Sequence, residues 1–140
     1  MKAIVMTGVP GAGKTRYRES NLSHLPHVDI KDIYDAVGDI SWDAAVMAML
    51  VKAGKLFQDG ASIVVLEGIF LPGTPSRELL ECELRDMRID TRFILVHRSY
   101  KECQEGICNS VGDVGIRMLI LCRYWDRAEA LVEEDSGDDN

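Results

Sequence analysis

A glycine-rich segment near the start of the chain constrains its fold more than any other feature. Residues 8–15 read GVPGAGKT and match the pattern G-x-x-x-x-G-K-[ST]. The apolar residues 3–6 predict a buried strand before this segment, and residues 15–21 predict the start of a helix after it. Glycines let successive N–H groups turn inward toward phosphate oxygens, and the helix N-terminus adds its dipole. The order of strand, loop and helix therefore predicts a phosphate-binding loop.

The loop itself supplies most of the predicted binding residues. We expect Lys14 to reach the outer phosphates of a nucleoside triphosphate and the Thr15 hydroxyl to ligate Mg²⁺. The residues predicted to bind the nucleotide are Gly8, Pro10, Gly11, Ala12, Gly13, Lys14, Thr15 and Arg16.

Length and charge indicate how the chain is organised. A chain of 140 residues corresponds to one domain. The net charge is −7, and five of the acidic residues lie in a polar C-terminal run, which leaves the remainder close to neutral. We therefore predict a single domain over residues 1–132 and an acidic, disordered tail over residues 133–140. The near-neutral body has no basic surface strong enough to indicate nucleic-acid binding from charge alone.

Other general features favour a cytoplasmic protein. No stretch has the apolar length that a bilayer crossing needs, so we expect no membrane partner. The N-terminus runs directly into the first predicted strand, and we therefore expect no signal peptide. The four cysteines lack paired spacing and are expected to be free thiols. The sequence leaves the oligomeric state open.

Strand and helix patterns alternate along the chain. Short apolar runs predict strands at residues 3–6, 27–30, 62–66 and 91–97. Helices are predicted to begin at Ser41, at Thr74-Pro75 and at Ser99, where Glu102 completes a capping box. Trp42 falls on a helical apolar stripe and is predicted to lie in the core, with a base-stacking role as the alternative. The alternation predicts an α/β fold with a parallel sheet between helices, in which ligands bind beyond the carboxyl ends of the strands.

Acidic residues follow two of these strands. Phosphoryl transfer needs a carboxylate that accepts the proton of the acceptor hydroxyl. Asp32 is the first candidate for this base and Asp29 the second, with a further role in positioning substrate; either could instead cap the next helix. Glu67 ends an apolar strand and is predicted to hold Mg²⁺ or contact the acceptor, with an ion pair to a neighbouring base as the alternative.

The chain resembles small P-loop kinases, most closely the kinase domain of polynucleotide 5′-hydroxyl kinases, with the zeta-toxin-like kinases as relatives. Residues 8–15, 28–34 and 65–68 carry the resemblance. It implies a three-layer P-loop fold with a central parallel sheet ordered 2-3-1-4. It also implies ATP and Mg²⁺ as cofactors and transfer of the γ-phosphate to a hydroxyl. Lys14 and Thr15 would contact the nucleotide and metal, and Asp32 would act as the base.

The resemblance is weakest at the lid, which in these kinases is rich in arginine. Residues 104–113 occupy the corresponding position and contain no arginine. Arg117, at the start of the last predicted helix, could reach the transferring phosphate instead, although a surface ion pair is the alternative. Arg98, just after the fourth strand, is a further candidate for contacting substrate.

Two functional classes remain open from the sequence. The first is a kinase acting on a hydroxyl of a nucleic-acid 5′ end, a nucleoside or another small molecule. The second is a nucleotide-binding module with weak catalysis, which the arginine-poor lid favours.

Overall fold

Four strands form the central sheet of the described chain. The structure, a computed structural model, describes the backbone of residues 1–110 and 112–138 and the side chains of residues 1–110 and 112–132. The strands are β1 (Lys2–Thr7), β2 (His27–Asp29), β3 (Ile63–Glu67) and β4 (Asp90–Leu95). Within this part of the chain they lie in the order β2-β3-β1-β4 and every pairing is parallel. The predicted α/β class and the 2-3-1-4 order are therefore confirmed.

Helices connect these strands and cover the sheet. They are α1 (Lys14–Asn21), α2 (Ile30–Val37), α3 (Trp42–Gln58), α4 (Pro75–Asp86), α5 (Tyr100–Cys108) and α6 (Val114–Asp138). The Thr74 hydroxyl accepts a hydrogen bond from the backbone N–H of Arg77 at 3.3 Å, with Pro75 in the first turn of α4. Ser99 and Glu102 form a capping box at the start of α5. The local sequence therefore fixes where these two helices begin.

The sheet is buried on both faces. In β1, Ala3 and Val5 pack with buried residues of α3 and α4. Ile4 and Met6 alternate with them and pack on the opposite face with Leu22, which follows α1. Side chains of neighbouring residues in a strand point to opposite faces, so an uninterrupted apolar run serves both layers.

A separate apolar cluster joins α5 and α6 to the loop after β1. Its buried members are Val9, Ala12, Leu71, Cys103, Ile107, Leu121 and Ala128. Trp125 of α6 packs against this cluster and stacks on His97, with ring centroids 5.0 Å apart. The two C-terminal helices are therefore packed onto the predicted phosphate-binding loop.

Several apolar side chains are more exposed than the helical pattern suggests. Trp42 is 46% exposed, so its predicted place in the core is wrong. The buried face of α3 begins only at Ala45, one turn after Trp42. On α6, Leu119 is 72% exposed although it belongs to an apolar stripe in the sequence.

The C-terminal helix extends beyond the predicted domain boundary. The backbone of α6 is helical up to Asp138, whereas the sequence predicts a disordered tail from residue 133. Residues 139 and 140 of that predicted tail, and residue 111 of the predicted lid, lie outside the described residues. In the described part of the chain, no helix combines the length and the apolar character needed to cross a bilayer. The cysteines are free thiols, as predicted.

Candidate phosphate-binding and transfer site

The loop between β1 and α1 curls around a lysine ammonium. Nζ of Lys14 donates hydrogen bonds to the carbonyl oxygens of Gly8 at 2.6 Å and Val9 at 3.1 Å. Gly11 and Gly13 adopt φ angles of +78° and +94°, a region that glycine enters without steric cost. The curled backbone and the N-terminus of α1 have the arrangement that binds phosphate in other proteins.

Helix α5 lies directly against this loop. A Cβ added to Gly11 would lie 2.1 Å from the backbone oxygen of Cys103, and one added to Gly106 would lie 2.8 Å from the oxygen of Gly11. Arg98 Nε also donates a hydrogen bond to the Gly11 oxygen at 2.7 Å. The shape of the loop therefore depends on its contacts with α5 and Arg98 as well as on its own glycines.

Two carboxyl groups lie side by side at the ends of β2 and β3. Asp29 and Glu67 are paired in the parallel register of these strands. Glu67 Oε2 accepts a hydrogen bond from the Thr15 hydroxyl at 2.9 Å, which connects β3 to the phosphate loop. Asp29 caps α2, since its Oδ1 accepts a hydrogen bond from the backbone N–H of Lys31 at 2.9 Å.

The charges at this site perturb one another. Burial raises the pKa of Glu67 to about 7, and a hydrogen bond and the negative charge of Asp29 act in the same direction. Desolvation lowers the pKa of Lys14 to about 8, although Glu67 and Asp29 oppose this effect. Strongly shifted pKa values of this kind are typical of functional sites.

Arg18 is a site residue that the sequence analysis did not identify. Its Nε lies 3.6 Å from Glu67 Oε1, so the ion pair considered as an alternative for Glu67 is present. Neither of these two buried atoms makes a hydrogen bond to another described atom. Thr15 and Arg18 are three residues apart on α1, a spacing that places both on one face of the helix and could have indicated this contact.

Asp29 and Asp32 are not equivalent in the structure. Asp29 lines the cleft that contains the phosphate loop, whereas Asp32 is not among the described residues of that cleft. Asp32 is exposed on α2 and lines a neighbouring cavity with Lys52 and Lys55, and Asp29 borders that cavity as well as the cleft. The cleft therefore contains only one of the two aspartates, whereas the neighbouring cavity is lined by both.

The cleft brings most of the other predicted residues together. It has a volume of about 530 Å³, and residues 10–16, Arg98 and Arg117 line it. Gly8 is buried beneath it and contacts Lys14 through its carbonyl group. Arg117 donates a hydrogen bond to the Ser110 hydroxyl at 2.6 Å, and its charge contributes to the lowered pKa of Lys14. Arg117 is therefore close enough to the loop for its charge to act there.

The oxygen donors at the base of the cleft fit Mg²⁺. This ion prefers oxygen ligands and is held in proteins by one or two carboxylates together with water and substrate phosphates. Glu67, Asp29 and the Thr15 hydroxyl supply such donors. The buried Oε1 of Glu67 accepts no hydrogen bond from the described atoms, and a metal ion bound there would share this oxygen with the Arg18 guanidinium, whose Nε lies 3.6 Å away.

Solved structures of other proteins share this architecture. No known protein-family model matches the sequence, and no curated protein matches it either. A protein of Chloroflexus aurantiacus J-10-fl provisionally described as a kinase is 19% identical with a TM-score of 0.59, over 76% of this chain and 64% of that one. The APS kinase CysC of Mycobacterium tuberculosis, solved in complex with AMPPNP and APS, is 18% identical with a TM-score of 0.56, over 74% and 66%.

At these identities the likeness concerns the fold. It agrees with the sheet order and the flanking helices, and the protein has a three-layer α/β P-loop fold. The chain spans about two thirds of the length of each of these two proteins.

Substitution of Gly106 tests the contact between α5 and the phosphate loop. In Gly106→Ala the new Cβ would lie 2.2 Å from Nη2 of Arg98 and 2.8 Å from the Gly11 oxygen. We expect overpacking to lower the free energy of unfolding by about 1–3 kcal/mol. The displaced loop should also bind nucleotide more weakly, as measured by calorimetry beside urea unfolding.

Gly54→Ala is the matched control, because Gly54 lies inside α3 and no atom lies within 4 Å of an added Cβ. It should stabilise the protein by about 0.5–1 kcal/mol and leave nucleotide binding unchanged. Similar effects of the two substitutions would contradict a specific role for the close approach at Gly106.

Proposed function

We propose that this protein is an ATP-dependent phosphotransferase that moves the γ-phosphate to an acceptor hydroxyl. One observation carries the proposal: the phosphate loop with Lys14 and Thr15, and the carboxyl groups of Asp29 and Glu67, line a single cleft. A phosphate cradle, metal ligands and a proton acceptor are the parts that this transfer requires. The kinase neighbours, one of them solved with AMPPNP, support ATP as the donor.

The donor phosphates would be bound by the loop and by Lys14. The loop N–H groups and the N-terminus of α1 supply hydrogen bonds and positive potential. Lys14 would exchange its bonds to Gly8 and Val9 for phosphate oxygens. Thr15 and Glu67 would hold Mg²⁺, which when bound neutralises charge on the β- and γ-phosphates.

Asp29 is the proton acceptor that we propose. The acceptor hydroxyl oxygen forms a bond to the γ-phosphorus while the bond from that phosphorus to the β,γ-bridging oxygen breaks. The electron pair of the broken bond leaves with ADP, and the hydroxyl proton passes to the Asp29 carboxylate. Asp29 lies beside Glu67 and lines the cleft, whereas Asp32 is not among the described residues of the cleft, and this supports Asp29 over Asp32.

Two arginines would act on opposite parts of the site. Arg98 holds the Gly11 oxygen at 2.7 Å and would position the loop. Arg117 would contact the transferring phosphate after releasing Ser110, whose hydroxyl it now binds at 2.6 Å. An arginine that stabilises this charge is worth about 10³-fold or more in rate.

A nucleotide-binding module with weak catalysis is the second candidate function. Residues 104–113, at the position of the lid, contain no arginine, and Arg117 is held by Ser110. Tight ATP binding without transfer to any acceptor would favour this function.

Transfer of labelled γ-phosphate from ATP tests the main proposal. The acceptors are 5′-hydroxyl oligonucleotides, which the resemblance to polynucleotide kinases suggests, together with nucleosides and amino-sugar compounds. We expect Lys14→Ala to lower transfer about 100-fold or more, because it removes a fixed positive charge from the phosphates. Lys101→Ala is the control, since Lys101 is exposed on α5 and is not among the described residues that line the cleft. Equal rates for the two variants would exclude the role of Lys14.

The two neighbouring aspartates provide a second test. We expect Asp29→Asn to lower transfer about 10²- to 10⁴-fold, because an amide cannot accept the hydroxyl proton. Asparagine can still cap α2 through its side-chain oxygen, so the fold and ATP binding should persist. Asp32→Asn should leave transfer within a few-fold of the wild-type rate. A larger kinetic loss for Asp32→Asn would identify Asp32 as the base.

The protein should release protons when it binds nucleotide below pH 7 and take up protons when it binds nucleotide above pH 8. Below pH 7 Glu67 is protonated in the free protein, because its pKa is raised to about 7. Since a metal binds the carboxylate form, binding of Mg²⁺ and ATP at pH 6 should release close to one proton from this group. Above pH 8 Lys14 is largely neutral, because its pKa is lowered to about 8, and the bound phosphate should cause it to take up a proton.

Calorimetry in two buffers with different ionisation enthalpies measures this exchange. In Glu67→Gln the release at pH 6 should disappear while the uptake above pH 8 remains. Proton exchange that stays constant from pH 6 to pH 9 would contradict the role of both groups.

A further inference from the structure

A second cavity of about 270 Å³ opens beside the nucleotide cleft. It shares four lining residues with the cleft: Ile30, Tyr34, Ile69 and Ile120. Ile30 directly follows Asp29, and Ile69 lies two residues after Glu67. The second cavity therefore adjoins the cleft at residues that are close in sequence to the two carboxyl groups, which themselves line only the cleft of these two spaces.

We propose that this cavity binds the phosphate acceptor, and that the acceptor is a monomeric compound with a flat ring and a hydroxyl arm, of nucleoside size. This proposal rests on the proposed function, because a compound bound in the cavity is an acceptor only if the protein transfers phosphate. The ring occupies the second cavity, and the arm reaches past Ile30 and Ile69 to Asp29.

Aromatic side chains dominate the wall of this cavity. Tyr34, Trp42, Phe70 and Tyr124 all line it. Trp42 lines the cavity and yet remains 46% exposed. Flat rings stack on aromatic side chains with little dependence on their substituents. A ring-bearing ligand therefore explains why a tryptophan is exposed there.

The charge distribution favours a single small molecule over a polymer. Among the described residues that line the cavity, Arg123 is the only charged one, and it lies over the Tyr124 ring at 5.6 Å. A nucleic-acid strand needs several cations along its backbone. A volume of about 270 Å³ also accommodates one ring system and its arm rather than several nucleotides.

The segment between the two cavities is held in a strained conformation. Phe70 adopts a φ angle of 31°, which non-glycine residues rarely do. Its carbonyl oxygen accepts a hydrogen bond from Arg77 at 2.9 Å, and its ring packs so closely on Gly68 that a Cβ there would lie 2.4 Å away. Strained residues of this kind cluster at ligand sites. These contacts hold the segment that links Glu67 to the second cavity.

Tryptophan fluorescence provides a binding test that does not depend on transfer. The chain has two tryptophans, so in Trp125→Phe the emission comes from Trp42 alone. We expect adenosine and thymidine to quench this emission, and ribose, which has the hydroxyls but no flat ring, to leave it unchanged. Equal responses to ribose and adenosine, or no response to either nucleoside, would overturn the proposal.

Kinetics of the labelled transfer test the same site. We expect Trp42→Ala to raise KM for adenosine about tenfold or more, with a smaller change in kcat, because stacking is lost. Met47→Ala is the control, since Met47 is another exposed apolar residue of α3 that lines a different groove. An unchanged KM in Trp42→Ala would contradict the proposal.

Acceptor length separates a monomer from a polymer. Thymidine should have a kcat/KM equal to or above that of a 5′-hydroxyl oligothymidine of about ten nucleotides. A preference of tenfold or more for the oligonucleotide, with a steep salt dependence, would identify a polynucleotide acceptor instead.

Failure of the two proposals would look different. Quenching of Trp42 by nucleosides without transfer would support the cavity as a ring-binding site and count against the kinase activity. Transfer to alcohols without a ring, at rates unaffected by Trp42→Ala, would support the kinase activity and overturn the ring-binding site.

Discussion

The parallel pairing of β2, β3 and β1 is the interaction on which the site depends. Its register aligns Met6 with Glu67 and Glu67 with Asp29 across three neighbouring strands. The phosphate loop that follows β1 therefore begins at the same edge of the sheet as both carboxyl groups. Because backbone hydrogen bonds set this register, the positions of the side chains follow from the sheet and not from their own preferences. Without it, the loop could still bind phosphate but would have no carboxylate beside it.

Partial desolvation gives the site its electrostatic character. A lysine ammonium with a pKa of about 8 and a carboxyl group with a pKa of about 7 lie around the same loop. Each shift arises because burial disfavours the charged form and the neighbouring charges compensate only in part. A phosphate would stabilise the charged form of Lys14, and a cation would stabilise that of Glu67. The two shifts therefore share one physical cause, desolvation, which the proposed binding of a phosphate and a cation would offset at both groups.

The proposed donor and acceptor positions meet at one short segment. Residues 67–70 pass from the carboxyl group proposed to bind a metal ion to the wall of the aromatic cavity, and the strained Phe70 backbone is held by Arg77. On the other side of the cleft, α5 and Arg98 hold the phosphate loop in shape. Rigid support from both sides would keep a hydroxyl aligned with the γ-phosphate, which is the main contribution that a protein makes to phosphoryl transfer.

The sequence by itself determined the features that arise from neighbouring residues. The spacing of glycines and Lys14 specified the phosphate loop, the pair Ser99 and Glu102 specified a helix start, and alternating strands and helices specified the class of fold. Only the tertiary structure showed that Asp29 lines the cleft and that Asp32 is not among its described residues. This difference depends on strand register and on where α2 begins. The solvent exposure of Trp42 and the ion pair between Arg18 and Glu67 are also evident only from the tertiary structure. These outcomes depend on contacts between segments far apart in the chain, which local patterns do not encode.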